Sequence, residues 1–430
     1  MSLAVLAIIL FISIFLLVLY GYPVAFTLGG LSLLYAFCFL DISVLSLLPS
    51  RVMGVMENSV LLAVPLFIFM GIMLERSGLA ERMLTTMAEL FGRVRGGMAV
   101  SVIIVGALLA ASTGIVGATV VTMGLISLPP MLKRGYAPTL ATGVIAASGT
   151  LGQIIPPSVV LVLLGSVLGV SVGKLFAAAL GPSLLLVGAY VTYVVALGLI
   201  KPGALPAGTT GGTTWNFAFL VKLLRSLLLP LILIVAVLGS ILVGWASPTE
   251  AAAIGAAGAI ILTAFQRKLD WATIRTVCRE TTHLTAMVFM ILLGATTFSL
   301  IFREMGGDSF LVNLIERSDL TEYQFLALVM VVVFVTGFFI DFIEIVFIIV
   351  PVVTPLFATY GTDLIWLGIL LGINLQTSFL SPPFGFALFY LKGVAPPEVK
   401  TVHLYRGILP FLGIQVLLLI LVLFFPDYVL

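Results

Sequence analysis

The sequence predicts an all-α polytopic membrane protein made of two inverted repeats, each contributing one re-entrant hairpin and one broken helix. Three observations carry this. Of 430 residues, 61% are hydrophobic and only 9% charged, with a mean hydropathy of +1.29, whereas soluble domains carry about 25% charged residues. Two apolar runs are interrupted by glycine and paired prolines, at GTLGQIIPPS (Gly149–Ser158) and NLQTSFLSPPFG (Asn374–Gly385). Two further runs have a length that suits neither one span nor two. In the first interrupted run, two prolines and two glycines would cost about 8 kcal/mol relative to alanine in a helix interior, so the helix must open there. The freed N–H and C=O groups cannot face lipid, so the opening has to be enclosed by protein or line a watery site. A matched pair of such interrupted segments points to a transporter's binding site.

In chain order, simple spans are expected at Leu3–Tyr20, Val24–Leu40, Val60–Leu74, Phe176–Ile200, Leu227–Gly244, Glu250–Phe265, Leu284–Phe302 and Gly407–Phe425. The first run lacks a basic n-region and an evident small-residue cleavage site, so it reads as a retained span. Cys38 and Cys278 lie in or near apolar helices and are expected to be buried thiols. Glu250, after Ser247-Pro248-Thr249, reads as a helix N-terminal residue.

The run Met98–Met131 has 34 residues, about 51 Å as one helix against a hydrocarbon core of about 30 Å. That length suggests a hairpin turning near mid-membrane, its tip at Ser112-Thr113-Gly114-Ile115-Val116-Gly117. The run Phe325–Tyr360 is similar, with Thr336-Gly337 to Glu344 at its centre. Arg93 and Arg95 before the first hairpin, and Lys133 and Arg134 after it, put both its feet on the cytoplasmic side. The second hairpin is flanked by Glu316, Asp319, Glu322 and Asp363, with Arg317 the only basic residue nearby, so it opens to the outside. Counting spans from these anchors places both termini outside. Lys174, Arg303, Arg317 and Arg51 are then left outside too.

The halves repeat. Pro156-Pro157 and Pro382-Pro383 stand 226 positions apart, as do Pro129 and Pro355, Gly135 and Gly361, and Gly181 and Gly407; Pro23 and Gly30 match Pro248 and Gly255 at 225. With hairpins of opposite direction the repeat is inverted. The Gly-, Thr- and Pro-rich stretch Gly203–Asn216 marks a linker (203–220) between a first repeat, 1–202, and a second, 221–430. The first holds the hairpin 98–131 and the broken helix 138–170; the second holds the hairpin 325–360 and the broken helix 364–392. Leu79–Val94 and Arg303–Leu320, amphipathic segments just before each hairpin, read as surface arms joining a fixed frame to a moving part, or as plain interfacial connectors.

Two tips and two breaks would meet near the bilayer midplane, where half-helix N-termini suit a carboxylate and C-terminal carbonyls with Ser or Thr hydroxyls suit sodium. Sodium candidates are Ser112, Thr113 and Val116 at the first tip with Gly152, Ile155 and Pro157 in its break. In the second half they are Gly337 at the tip with Ser378, Ser381 and Phe384 in the break. Gly and Ile would act through backbone carbonyls; the hydroxyls alone could equally bond back to their own helices. Gln153, Ser158 and Asn374 are candidates for substrate contact. Asp341 and Glu344, rare intramembrane carboxylates, would touch substrate, couple protons, order the second tip or bond backbone N–H groups. His283 and His403 stand alone, which disfavours a metal centre, and no nucleophile elbow, phosphate loop or HExxH helix occurs. An intramembrane enzyme lacks its acid, base or metal set, and two closed inverted hairpins argue against a continuous channel.

GYPVAFTLGG (Gly21–Gly30), LAASTGIVGATVVTMG (Leu109–Gly124), Arg134-Gly135-Tyr136 through LGQIIPPS, SPTEAAAIGA (Ser247–Ala256) and SFLSPPFG (Ser378–Gly385) together resemble the large membrane subunit of TRAP transporters, the DctM family. The resemblance covers essentially the whole chain. It implies an elevator-type, sodium-driven secondary transporter of the wider ion-transporter superfamily, moving an organic acid. It also implies two partners, a small four-helix membrane subunit of DctQ type and a periplasmic substrate-binding protein of DctP type. No cofactor other than coupling sodium ions is expected, and no nucleic acid. A stand-alone or proton-coupled divalent-anion symporter of the same superfamily is the competing reading.

Overall fold

The computed structural model describes residues 2–428 apart from 93, 115, 201–204, 207–216, 318–319 and 384. Among them there is helix and no strand. In order the helices are α1 (Leu3–Leu19), α2 (Val24–Phe39), α3 (Ile42–Leu45), α4 (Leu48–Met56), α5 (Ala63–Arg76), α6 (Leu79–Leu90), α7 (Gly97–Thr113), α8 (Val116–Lys133), α9 (Pro138–Gly149) and α10 (Val159–Leu168). After them come α11 (Val172–Ile200), α12 (Phe217–Leu242), α13 (Pro248–Phe265), α14 (Trp271–Glu304), α15 (Gly307–Arg317), α16 (Glu322–Thr336), α17 (Phe342–Ile348), α18 (Val350–Tyr360), α19 (Leu364–Leu380), α20 (Phe386–Val394) and α21 (Thr401–Phe424). Among the described residues six helices are long and apolar enough to cross a membrane, or seven if the pair α17–α18, bent by 53°, counts as one.

Each boundary has a local cause. α13 starts on a capping box in which the Ser247 backbone N–H donates to Glu250 and the Glu250 N–H donates to Ser247 Oγ, so Glu250 sits where its charge meets the helix dipole. Asp270 caps α14, its carboxylate accepting from the Thr273 N–H at 2.6 Å, and this helix begins 13 residues before the apolar run that the sequence marks. Hydropathy sees only the buried or lipid-facing part of a helix; the polar turns that continue it into water escape it.

α7 and α8 form a helical hairpin. A methyl group added at Gly106 would lie 2.6 Å from Ser148, and one added at Gly149 would lie 2.5 Å from Val120, so residues 106 and 120 meet one level of α9 from opposite arms. α16 and α17–α18 form another. Phe325 and Phe357 pack with centroids 4.8 Å apart and rings tilted by 47°, the Tyr360 hydroxyl donates to the Leu320 carbonyl, and Thr362 donates to the Glu322 carboxylate. Around them α2 packs on α14, α5 on α13 and α9 on α21.

Three expectations change, and one unassigned segment gains a structure. The second interrupted segment stays helical through Leu380, which puts Ser378 in the helix and not in the break, and helix resumes at Phe386. The second amphipathic segment is shorter, because Arg303 and Glu304 end α14 and α15 begins at Gly307. Cys38 and Cys278 are exposed: in a bilayer protein an apolar helix face need not point at the core. Residues 42–56, which carry no spanning signal, fold as α3 and α4. The linker Gly203–Asn216 lies outside the described residues save Leu205 and Pro206; Leu205 is buried beside Gly96 and Gly198.

Candidate functional site

The first tip turns on Gly114, whose φ of +60° is a conformation that side chains resist. A methyl group there would sit 3.1 Å from the Val159 amide, so the tip abuts the N-terminus of α10. One turn back along α7, the Ala110 carbonyl points at Gly152, 2.7 Å from where a Cβ would be. Tip and break therefore touch along 110–114 and 152–159. The side chains of Ser112 and Thr113 lie outside the described residues. Val116 and Pro157 are buried and Ile155 is half-buried, its N–H donating to the Leu151 carbonyl. Ser158 closes the break by donating its hydroxyl to the Gln153 carbonyl at 2.8 Å.

The second tip is built differently. α16 ends at Gly337, and α17 is started by Asp341, whose carboxylate accepts from the Phe342 N–H at 2.7 Å while Glu344 accepts from the Asp341 N–H at 3.3 Å. The two carboxylates thus cap a helix, the bonding that Asp and Glu at this spacing favour. Gly337 faces Ser378: a Cβ would fall 2.0 Å from Ser378 Oγ. Both serine hydroxyls donate to their own helix, Ser378 to the Leu375 carbonyl and Ser381 to the Thr377 carbonyl, each at 2.8 Å, which leaves oxygen lone pairs to accept or coordinate. At the end of the break the Phe379 and Ser381 carbonyls both crowd Gly385. Phe384 lies outside the described residues.

The two halves meet on one cavity of about 510 Å³. Gly114, Val116 and Gly117 line it from the first tip and Asp341 and Phe342 from the second; Val159 and Phe379 border it from the ends of the two breaks. Leu284, Met287 and Val288 of α14 form the facing wall. Asp341 is the one charged residue on its lining among the described residues. A carboxylate in an otherwise apolar chamber favours a cation or a proton-bearing guest.

Not every candidate comes to this chamber. Asn374 donates one of its two amide N–H groups to the Met330 carbonyl at 2.8 Å, tying α19 to α16, and it does not line the chamber. Gln153 is fully buried and neither end of its amide has a partner. Gln376 is its counterpart and escaped the sequence reading: it too is fully buried with both amide ends unpartnered, on a helix that touches the 3-10 turn carrying Gln153. The signal was present in the polar cluster Asn374, Gln376, Thr377 and Ser378, where only the helix rotation decides which amide is bonded. Tyr390 of α20, stacked 3.1 Å from the position of a Cβ on Gly117, was also missed. Nothing in its local sequence distinguishes it from a lipid-facing aromatic.

Comparison with known proteins agrees with this architecture. Residues 11–428 match the family described as the tripartite ATP-independent periplasmic transporter, DctM component. The chain is 32% identical to the C4-dicarboxylate TRAP transporter large permease protein DctM of Pseudomonas aeruginosa, over 86% of this chain and 85% of that one. It is 30% identical to the sialic acid large permease SiaM of Vibrio cholerae (95% and 94%) and 29% identical to the ectoine large permease TeaC of Halomonas elongata (96% and 95%). Among solved structures the YdaH transporter of Alcanivorax borkumensis superposes with a TM-score of 0.64 at 15% identity, covering 100% of this chain and 99% of that one, a likeness of fold alone.

Proposed function

Because the chain belongs to the DctM family of TRAP transporter large permeases, we propose that it imports an organic acid or similar small anionic solute, coupled to sodium, by an elevator motion. The single observation that carries this reading is the cavity lined by both hairpin tips and bordered by Val159 and Phe379, the helix ends that flank the two breaks, with Asp341 placed where a coupling cation would offset the charge of an anionic solute. Two hairpins and two broken helices form the moving body, as inverted repeats entering the membrane from opposite sides, and α14 with α5 belongs to the frame. Sodium is held by main-chain carbonyls at the helix ends beside Gly152 and Gly385, with Ser381 and the first-tip hydroxyls adding oxygen ligands; hard oxygen donors at helix C-termini suit that ion. The orphan amides of Gln153 and Gln376 supply neutral hydrogen bonds to the solute. The relatives named for C4-dicarboxylate, sialic acid and ectoine all carry a carboxylate, which supports an organic-acid class here. Partners are a small membrane subunit and a periplasmic binding protein, in the inner membrane, with both chain termini periplasmic.

The test is uptake in proteoliposomes holding the chain with its small subunit, using labelled C4-dicarboxylate, sialic acid and ectoine. Uptake should require the binding protein and collapse when choline replaces sodium. Ser381→Ala with Thr113→Ala should raise the half-activating sodium concentration without loss of folded protein. Undiminished uptake in choline would end the sodium reading, and uptake without binding protein would favour the stand-alone symporter.

A further inference from the structure

Above the tip cavity, on the same face of α14, lies a second pocket of about 420 Å³. Arg51 of α4 and Arg303 of α14 both line it, and no carboxylate does. Arg303 donates from Nε to Asp308 at 3.1 Å, which leaves its terminal nitrogens, and the Arg51 guanidinium has no hydrogen-bond or ion-pair partner among the described residues. Polar neutral groups complete the wall: Ser299, Thr296, and Asn58 donating to Ser166 at 3.3 Å across the seam between frame and moving body. The volume is that of a small-molecule site, which typically spans about 300–1,000 Å³.

The placement is informative. The other end of α14 carries Arg275 and Arg279, just after Arg267 and Lys268, and such a basic cluster marks the cytoplasmic side. Its 34 residues, about 51 Å long, put Arg303 beyond the opposite surface of a core about 30 Å thick. Three helices line both chambers: α14 through Met287 below and Ser299 above, α10 through Val159 and Ser166, α17 through Phe342 and Phe347. From Met287 to Ser299 is about 18 Å along the helix. A basic, concave pocket thus stands on the outer side of the tip cavity, with α17 between them.

We propose that this pocket is an outer anion subsite, which takes the carboxylate or sulfonate of the solute on the periplasmic side before it reaches the tips. It rests on the transport reading above and adds a place and a chemistry to it. The two exposed guanidinium groups line one concave wall, that of Arg303 partly balanced by Asp308 and that of Arg51 not; such a basic cleft raises the local concentration of an anion by about tenfold, and a planar guanidinium fits a carboxylate through two parallel hydrogen bonds.

The experiment labels Ser299→Cys, in the full chain with its small subunit and with Cys38 and Cys278 replaced by serine, from the outer side of sealed proteoliposomes. An anionic methanethiosulfonate should react at least about tenfold faster than its cationic analogue, and succinate should protect while its neutral diamide should not. Arg51→Gln with Arg303→Gln should abolish both preferences, and the paired lysine substitutions should restore the charge preference. The glutamine pair should also raise the half-saturating solute concentration for uptake. Equal labelling rates, no protection by succinate, protection only when binding protein is docked, or unchanged half-saturation would each overturn the subsite. Labelling is read without transport, so an intact charge preference in protein that takes up nothing would count against the transport reading alone.

Discussion

The first broken helix leaves α-helix after Gly149 and resumes at Val159, with one 3-10 turn between, whereas the second leaves it only after Leu380 and resumes at Phe386, although both carry a proline pair at corresponding positions. At the 226-residue offset, Gly149 and Gly152 correspond to Leu375 and Ser378. Each glycine costs about 1 kcal/mol in a helix and each proline about 3. The prolines therefore fix where a break must lie and the glycines fix how early it begins. The same exchange appears in the contact behind each break. In the first half glycine is on the break, with Gly152 against the Ala110 carbonyl; in the second it is on the hairpin, with Gly337 against Ser378. One close approach between hairpin and break is reached by removing a side chain from opposite partners.

The severest way to break that comparison is Gly337→Val, which drives branched carbon into Ser378. Overpacking of this kind costs about 1–3 kcal/mol and occasionally more, and both thermal stability and uptake should fall sharply. Tolerance of valine would mean the hairpin does not rest on the break. Sharper is the exchange of sides: Gly337→Ala alone should be destabilising, and adding Ser378→Gly, which copies the first half, should recover more than half of the loss in melting temperature. An additive double mutant would show that the two contacts are not equivalent.

The amides distinguish the halves more gently. A buried polar group without a partner costs about 1–3 kcal/mol, so Gln153→Leu and Gln376→Leu should leave stability unchanged or raised while uptake falls at least tenfold. Unaffected uptake would remove both from the site. The smallest effect is expected for Asn374→Ala, which loses one hydrogen bond to Met330 worth about 1 kcal/mol, with the affinity for solute kept.

Much of this was legible in the chain. Apolar run lengths placed the spans at 60–74, 176–200, 250–265, 284–302 and 407–425, because the bilayer fixes that length, while the runs expected at Leu3–Tyr20, Val24–Leu40 and Leu227–Gly244 hold apolar helical stretches of 17 residues or fewer; both long runs turn where small or turn-forming residues interrupt them, at Gly114 and at Gly337–Asp341. Ser381 stands at the edge of the second break, whereas Ser378, expected inside it, lies in α19; whether their hydroxyls bond inward depends on helix geometry. Gln376 and Asn374 show the limit most clearly. Two residues apart on one helix, they point about 200° apart around its axis, so one amide ties α19 to α16 and the other is left without a partner.

By itself the sequence determined that this protein lives in a bilayer, that two of its helices break, and which family it resembles. These follow from lipid's intolerance of unpaired backbone groups and from the backbone costs of proline and glycine, both local effects written in residue type. Only the tertiary structure decided that both tips, with Val159 and Phe379 at the flanks of the two breaks, share one chamber with Asp341, and that Arg51 and Arg303, 252 positions apart, line one pocket. Those meetings depend on how distant helices pack, and no short-range preference encodes them.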